Sequence, residues 1–178
     1  MSEATVNTKR PDGSNRVVIT GMGAITPAGV GVEALWKAVM GRECCIRPIE
    51  RFDTSAFEVH NAGEVRGYDG TEHGLSKKEA RRFERFVQYA ITASDEALAE
   101  AGLDMEFEDP TRVGVVYGSG IGGIDELQKS FFTLHDKGPS RVNPLFVPTM
   151  ISNIVSGCLA IRYGMKGECI NVVTACAT

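Results

Sequence analysis

Apolar residues follow two rhythms along the chain. Short continuous runs that close on glycine or small residues lie at 16–23 (RVVITGMG), 112–120 (RVGVVYGSG) and 168–175 (ECINVVTA), and they predict buried strands. Between them the apolar positions recur at helical steps. The clearest case is 77–101, where Phe83, Phe86, Val87, Ala90, Ile91, Ser94, Ala97, Leu98 and Ala101 share one face. Ser76 with Glu79 fits a capping box at its start, and Gly102 fits its stop.

Three further helices are expected. Residues 31–41 form one with Leu35, Val39 and Trp36 inward and Gly41 as C-cap; 123–138 form another with Ile124, Leu127, Phe131 and Leu134 on one face. The third, 149–164, carries small residues at Ser152, Ser156, Gly157 and Ala160, and its Gly157 costs about 1 kcal/mol relative to alanine, which suggests a packing reason. Residues 42–75 read as loop with one short strand near Val65, and VNPLFVP (142–148) as a proline-bounded loop. Strands alternating with helices give an α/β layered fold with the strands inside.

Composition narrows the function. The chain of 178 residues is 43% hydrophobic and 24% charged with net charge −4, a balance that argues against general nucleic-acid binding. No apolar run reaches a membrane span, and the polar start (1–15) reads as a disordered tail or an added segment rather than a secretory signal. The five cysteines (Cys44, Cys45, Cys158, Cys169, Cys176) show no metal-ligand spacing and an odd count. No metal site is expected, and the thiols should be reduced, as in a cytoplasm.

Cys176 stands apart. It closes the third apolar run, and reactive groups in α/β folds sit where strands end. A thiol lifted from the sheet there gains from the positive end of a following helix, and its N–H can stabilise an oxyanion. The small neighbours Ala175 and Ala177 permit a sharp turn and leave room for a substrate. From position alone, a buried structural cysteine is the favoured reading.

Four segments bear on that choice: VVITGMGAITPAG (17–29), YGSGIGG (117–123), NPLFVPTMISN (143–153) and VVTACAT (172–178). In this order and spacing they resemble the β-ketoacyl-acyl-carrier-protein synthases, above all the elongating type called synthase II. The resemblance runs from about residue 16 to the end. It implies the N-terminal half of a thiolase-like fold, a layered α/β/α arrangement with a mixed sheet, in a homodimer. It also implies fatty-acid chain elongation by decarboxylating Claisen condensation, with Cys176 as nucleophile. The acyl chain and malonyl group would arrive as thioesters on the phosphopantetheine of an acyl carrier protein, with no cofactor bound by the protein itself. The family's catalytic histidines lie in its second half, and His60, His73 and His135 match none of them. The segment alone is therefore expected to be inactive and to expose an apolar layer.

By the same resemblance, Gly120, Ile121, Phe146 and Ala175 belong to the acyl pocket, with Ile121 as gate and Phe146 reaching across the dimer. Lys78, Arg81, Arg82 and Arg141 match positions that dock the acidic carrier. The charge itself is unusual, since cations in the first turns of a helix oppose its dipole; a solvated helix face is the plain alternative. Residues 118–123 also fit GxGxxG, the dinucleotide fingerprint, but the prolines after the next helix remove the second strand that fingerprint needs. A polyketide ketosynthase and a noncatalytic acyl-binding scaffold are the alternatives to the fatty-acid enzyme.

Overall fold

A computed structural model describes residues 8–178. The chain opens with a hairpin, β1 (Ile25–Thr26) and β2 (Gly29–Val30), followed by α1 (Val32–Gly41) and a second hairpin, β3 (Arg47–Pro48) and β4 (Asn61–Ala62). Then come α2 (Lys77–Arg82), α3 (Arg85–Ala101), β5 (Val115–Gly118), α4 (Ile124–Lys137), α5 (Phe146–Met150), α6 (Ile154–Tyr163) and β6 (Cys169–Val172). Strands β5 and β6 pair in parallel, with Val115 opposite Cys169 and Gly118 opposite Val172. Parallel strands need a long crossover, and α4, α5 and α6 supply it. The class is α/β, as the alternation of runs predicts.

The core lies between α3, α6 and one face of this strand pair. Val87, Ala90 and Ile91 of α3 meet Val155 and Leu159 of α6, with Leu75 and Val115 closing the cluster. The other face of the strand pair is open: Val116, Ile170 and Val172 are exposed. Of the two strands expected to be buried, β5 buries only Val115 and β6 buries none of its residues, because the chain's helices cover only part of the pair.

The first predicted strand is absent. Residues 17–20 form no ladder among the described residues, and Val17 and Ile19 are each 84% exposed. A strand needs a partner for its N–H and C=O groups, and nothing described offers one here. The segment is anchored at its far end instead. Met22 N–H donates to Glu100 Oε2 (2.6 Å), Ala24 N–H to Glu96 Oε2 (3.0 Å) and Val32 N–H to Glu96 Oε1 (2.8 Å). Two acidic side chains of α3 thereby stitch the hairpin to the core. A Cβ at Gly23 would overlap the Ala93 carbonyl, so the chain crosses α3 only on glycine.

The helix expected over 77–101 is broken. Phe83 (φ −89°, ψ 135°) and Glu84 (φ −68°, ψ 161°) are extended, separating α2 from α3. Its ends are as expected: the Ser76–Glu79 capping box forms, and Gly102 is left-handed at φ 62°. Helix α1 ends on Arg42, not Gly41, in the left-handed region (φ 55°), and it buries Ala38 while Trp36 and Val39 are exposed. The α4 stripe forms on one face, but Phe131 is 65% exposed, since no described element covers it. Gly157 has open space where its Cβ would be, so packing does not explain it. Residues 146–150 fold into α5 rather than loop, α6 starts only at Ile154, and no strand forms near Val65. Of the expected tail, residues 1–7 lie outside the described residues, while Lys9 bridges Asn15 around a tight turn.

Candidate functional site

Strand β6 runs straight into a turn. Ala175 is left-handed (φ 52°), a strained region for alanine, and residues Ala175–Ala177 form one turn of 3₁₀ helix. Ala177 N–H donates to Thr174 O (3.1 Å) and Thr178 N–H to Ala175 O (3.2 Å), which leaves the Cys176 N–H out of the turn's own bonds. Thr174 N–H donates to Thr178 Oγ1 (2.8 Å), closing the loop. Cys176 sits exposed at its centre. The structure thus sets Cys176 at a strand end on a sharp turn, as its position in the sequence implies.

The glycine-rich segment lies beside this turn. Ser119 N–H donates to Val172 O (3.1 Å), joining the end of β5 to the end of β6. A Cβ at Gly118 would overlap the Thr178 side chain, and one at Gly120 would lie 3.7 Å from Ala175 O. Gly122 is left-handed (φ 78°) and donates to Ser119 Oγ (3.0 Å), which curls the segment back on itself. Gly120, Ile121, Ala175 and Cys176 therefore occupy two adjoining turns. Ile121 is 67% exposed. Phe146 opens α5, whose last residue Met150 accepts from Gly123 N–H (2.8 Å).

The same geometry excludes a dinucleotide site. A pyrophosphate would need the first turn of α4, and a carboxylate already occupies it. Glu84 Oε1 accepts from Glu126 N–H at 2.8 Å. The Gly122 and Gly123 backbone is also packed against residues 149–152.

Lys78, Arg81 and Arg82 are exposed on α2. With Lys77 they form one wall of a shallow surface depression, and Asn143, Leu145 and Thr149 form another. Arg141 closes the 3₁₀ turn just before that second wall and is likewise exposed. Three of the four cations expected to act together, Lys78, Arg81 and Arg82, thus border one depression, and Arg141 is not among its lining residues.

Neighbouring it, an apolar cavity of about 490 Å³ lies between the α2–α3 break, α5 and α6. Phe83, Leu145, Pro148, Ile154 and Cys158 line it, and no residue of the Cys176 turn does. Burial pushes the Cys158 thiol up, and the Arg82 charge pulls it partly back. The histidines are engaged elsewhere: His60 hydrogen-bonds Thr54, His73 stacks on Tyr68, and His135 pairs with Asp136.

Sequence reasoning missed Glu84. Its Oε2 is enclosed without a hydrogen-bond partner. Burial, with Asp125 and Glu126 nearby, raises its carboxyl above the ordinary range, while the Glu126 N–H and Lys129 act against this. In the sequence it is one acid among arginines, and only its spacing to a glycine helix start forty residues on could have flagged it.

The fold is that of the ketosynthases. A β-ketoacyl synthase from Burkholderia phymatum STM815 superposes with a TM-score of 0.74 at 28% identity, over 91% of this chain and 40% of that one. The ketosynthase of the AntDE:AntF complex, a type II polyketide ketosynthase with its acyl-carrier protein and bound hexaketide, gives 0.69 at 27% identity, over 84% and 39%. Residues 14–178 match the family model of the beta-ketoacyl synthase N-terminal domain, and the chain belongs to that family. The 3-oxoacyl-[acyl-carrier-protein] synthase 2 of Vibrio cholerae serotype O1 is 44% identical over 163 residues, 92% of this chain. The chain spans 39% of that relative's length.

Proposed function

We propose that this chain is the acyl-receiving part of a condensing enzyme of fatty-acid elongation, with Cys176 as its nucleophile. The observation that carries the reading is the exposed Cys176 on a strained turn at the end of β6, flanked by the Gly118–Gly123 segment. The 44% identity to a 3-oxoacyl-[acyl-carrier-protein] synthase 2 supports the fatty-acid substrate.

In this mechanism the Cys176 thiolate attacks the carbonyl of an acyl thioester. The phosphopantetheine thiol leaves, and the acyl chain stays on Cys176. Malonyl thioester then loses CO2, and its enolate carbon attacks the acyl-Cys176 carbonyl. A carbon–carbon bond forms, the carbon–sulfur bond breaks, and the thiolate returns. Sulfur suits both roles, as nucleophile and as leaving group. The Cys176 N–H, which makes none of the turn's own bonds, would donate to the oxyanion in each half. Ile121, Gly120 and Ala175 border the acyl chain, and Phe146 lies one helix away. The protein needs no bound cofactor, since phosphopantetheine arrives with the carrier.

Lys78, Arg81, Arg82 and Arg141 are proposed to dock that acidic carrier through complementary charge. The AntDE:AntF complex, a ketosynthase bound to its carrier protein, supports this kind of partner. The open apolar surface at Val116, Ile170, Val172 and Phe131 supports association with further polypeptide, a homodimer included.

The test is intact mass and peptide mapping after incubation of the full-length protein with an acyl N-acetylcysteamine thioester. A single acyl adduct on Cys176 supports the reading. Adducts spread over all five cysteines, or none, overturn it. The likeness to a polyketide ketosynthase keeps one rival open, and turnover with growing polyketide thioesters but not saturated acyl thioesters would favour it.

A further inference from the structure

Glu84 sits where three elements meet. It lies in the extended break before α3, yet its carboxylate does not cap α3. It crosses to α4, which begins on Gly123 and has no side-chain cap of its own. There Oε1 accepts from the N–H of Glu126, the third residue of the helix. A carboxylate at that place satisfies a donor the helix cannot satisfy itself and complements the helix dipole. The other oxygen is enclosed, and a Cβ on Gly123 would overlap it. Glu84 and Gly123 therefore fit only as a pair. Gly123 N–H donates onward to Met150 O, the end of α5.

A buried, half-satisfied carboxylate costs stability and calls for a reason. Its neighbours do not neutralise it simply. Asp125 and Glu126 on α4 oppose its charge, and Asp125 is itself paired with Arg51 at 2.8 Å. The reason offered by the geometry lies along the chain. Gly123 ends the glycine-rich segment that starts at Gly118, and Gly120 in its middle packs toward Ala175 O. Holding Gly123 fixes one end of that segment against the α3 core, while Ser119 N–H to Val172 O fixes the other. Ile121 is carried between the two anchors.

We infer that Glu84 is a positioning residue: by clamping the start of α4 it fixes the Gly118–Gly123 segment, and so sets how Ile121 stands to Cys176 and which acyl lengths reach the thiol. This rests on Cys176 being the acyl-carrying residue. The clamp uses the hinge between docking helix α2 and α3, so the segment beside the thiol and the basic helix share one support.

The test compares wild type, Glu84→Gln and Glu84→Ala in the full-length protein. Glutamine keeps the length and one acceptor oxygen for Glu126 N–H; alanine keeps neither. Amide exchange is followed over 119–127. Cys176 alkylation is timed with iodoacetamide and with N-dodecyl iodoacetamide, reagents that need no turnover. With Glu84→Ala, exchange over 119–127 should rise about 5- to 10-fold, the loss of one cap, while 85–101 stays protected. The long-to-short alkylation ratio should shift by about 3-fold or more, and Glu84→Gln should keep both values near wild type. An unchanged ratio in Glu84→Ala overturns the inference. So does a glutamine variant as damaged as the alanine one, or loss of protection spreading through α3 and β5. If wild-type Cys176 takes no acyl group from a thioester, the proposed function fails, and the exchange and alkylation arms still decide the role of Glu84.

Discussion

Arg162 Nη1 donates to Glu79 Oε1 at 2.9 Å, which ties α6 to the capping box that starts α2. The same guanidinium donates to Gly74 O (3.0 Å) and to Asp95 Oδ2 (3.3 Å), and Tyr163 OH holds Asp95 Oδ1 at 2.7 Å. One arginine thus fastens the basic helix to the core. With side chains 23% and 32% exposed, the Arg162–Glu79 pair is only partly screened by water. Arg162→Met should lower unfolding stability by about 1–3 kcal/mol, the usual cost of losing hydrogen bonds to charged groups. Urea denaturation of the variant and wild type measures it. An unchanged midpoint would mean that α2 is held by something else.

The same pair gives a pH dependence. The Glu79 carboxyl is held below its ordinary 4.5, first by the Ser76 hydroxyl and N–H and then by Arg162. A carboxyl with a lowered folded pKa contributes stability that is present above the unfolded value. That stability is lost as pH falls through the folded value. Amide protection of residues 77–83 should therefore fall as pH drops from about 5 toward 3. Glu79→Gln should flatten that fall, while starting from weaker protection at neutral pH. Exchange corrected for intrinsic rates reads both, and a fall equally steep in the variant would assign it to other groups.

Much of this was legible in the sequence, and what was not has identifiable physical causes. Periodicity found α3, α4 and α6 because it reports which residues share a face. It does not report what covers that face, and so the Phe131 stripe and residues 17–19, expected to pack, are bare. The break at Phe83 escaped because the apolar spacing continues through it from Phe83 to Phe86 and Val87. Position made Cys176 only a candidate, and the resemblance of four segments, not the strand end alone, singled out the thiol and its glycine-rich neighbour. Glu84 could not, because its role depends on a helix start forty residues away.

Glu96 and Gly23 test how the opening hairpin is held. Glu96 accepts from two backbone N–H groups, Ala24 and Val32, one with each oxygen. Glu96→Ala should leave both donors without these partners and raise exchange over 22–32, at a cost of about 1–3 kcal/mol. Glu96→Gln retains one acceptor oxygen and should cost less. Gly23→Ala drives a methyl into the Ala93 carbonyl and should destabilise by about 1–3 kcal/mol or more. Thermal melts of the three variants set the order. A harmless Gly23→Ala would mean that this crossing is looser than the structure has it.

Cys158 offers a reporter for carrier docking. Its thiol is raised by burial in the cavity beside α2, with the Arg82 charge acting in the opposite direction. At neutral pH it should stay in the thiol form and alkylate slowly, and its rate should climb as pH rises. Arg82→Ala removes the opposing charge and should slow Cys158 further. An acidic carrier seated on Lys78, Arg81 and Arg82 would neutralise the same charge and cover the cavity mouth, so both effects slow the thiol. Timed alkylation with and without carrier protein should show protection at Cys158 that fades as salt screens the charges. Charge reversal at Lys78 or Arg81 should abolish the protection while leaving the carrier-free rate of Cys158 unchanged. Protection that persists at high salt, or survives charge reversal, would place the carrier on another face of the molecule.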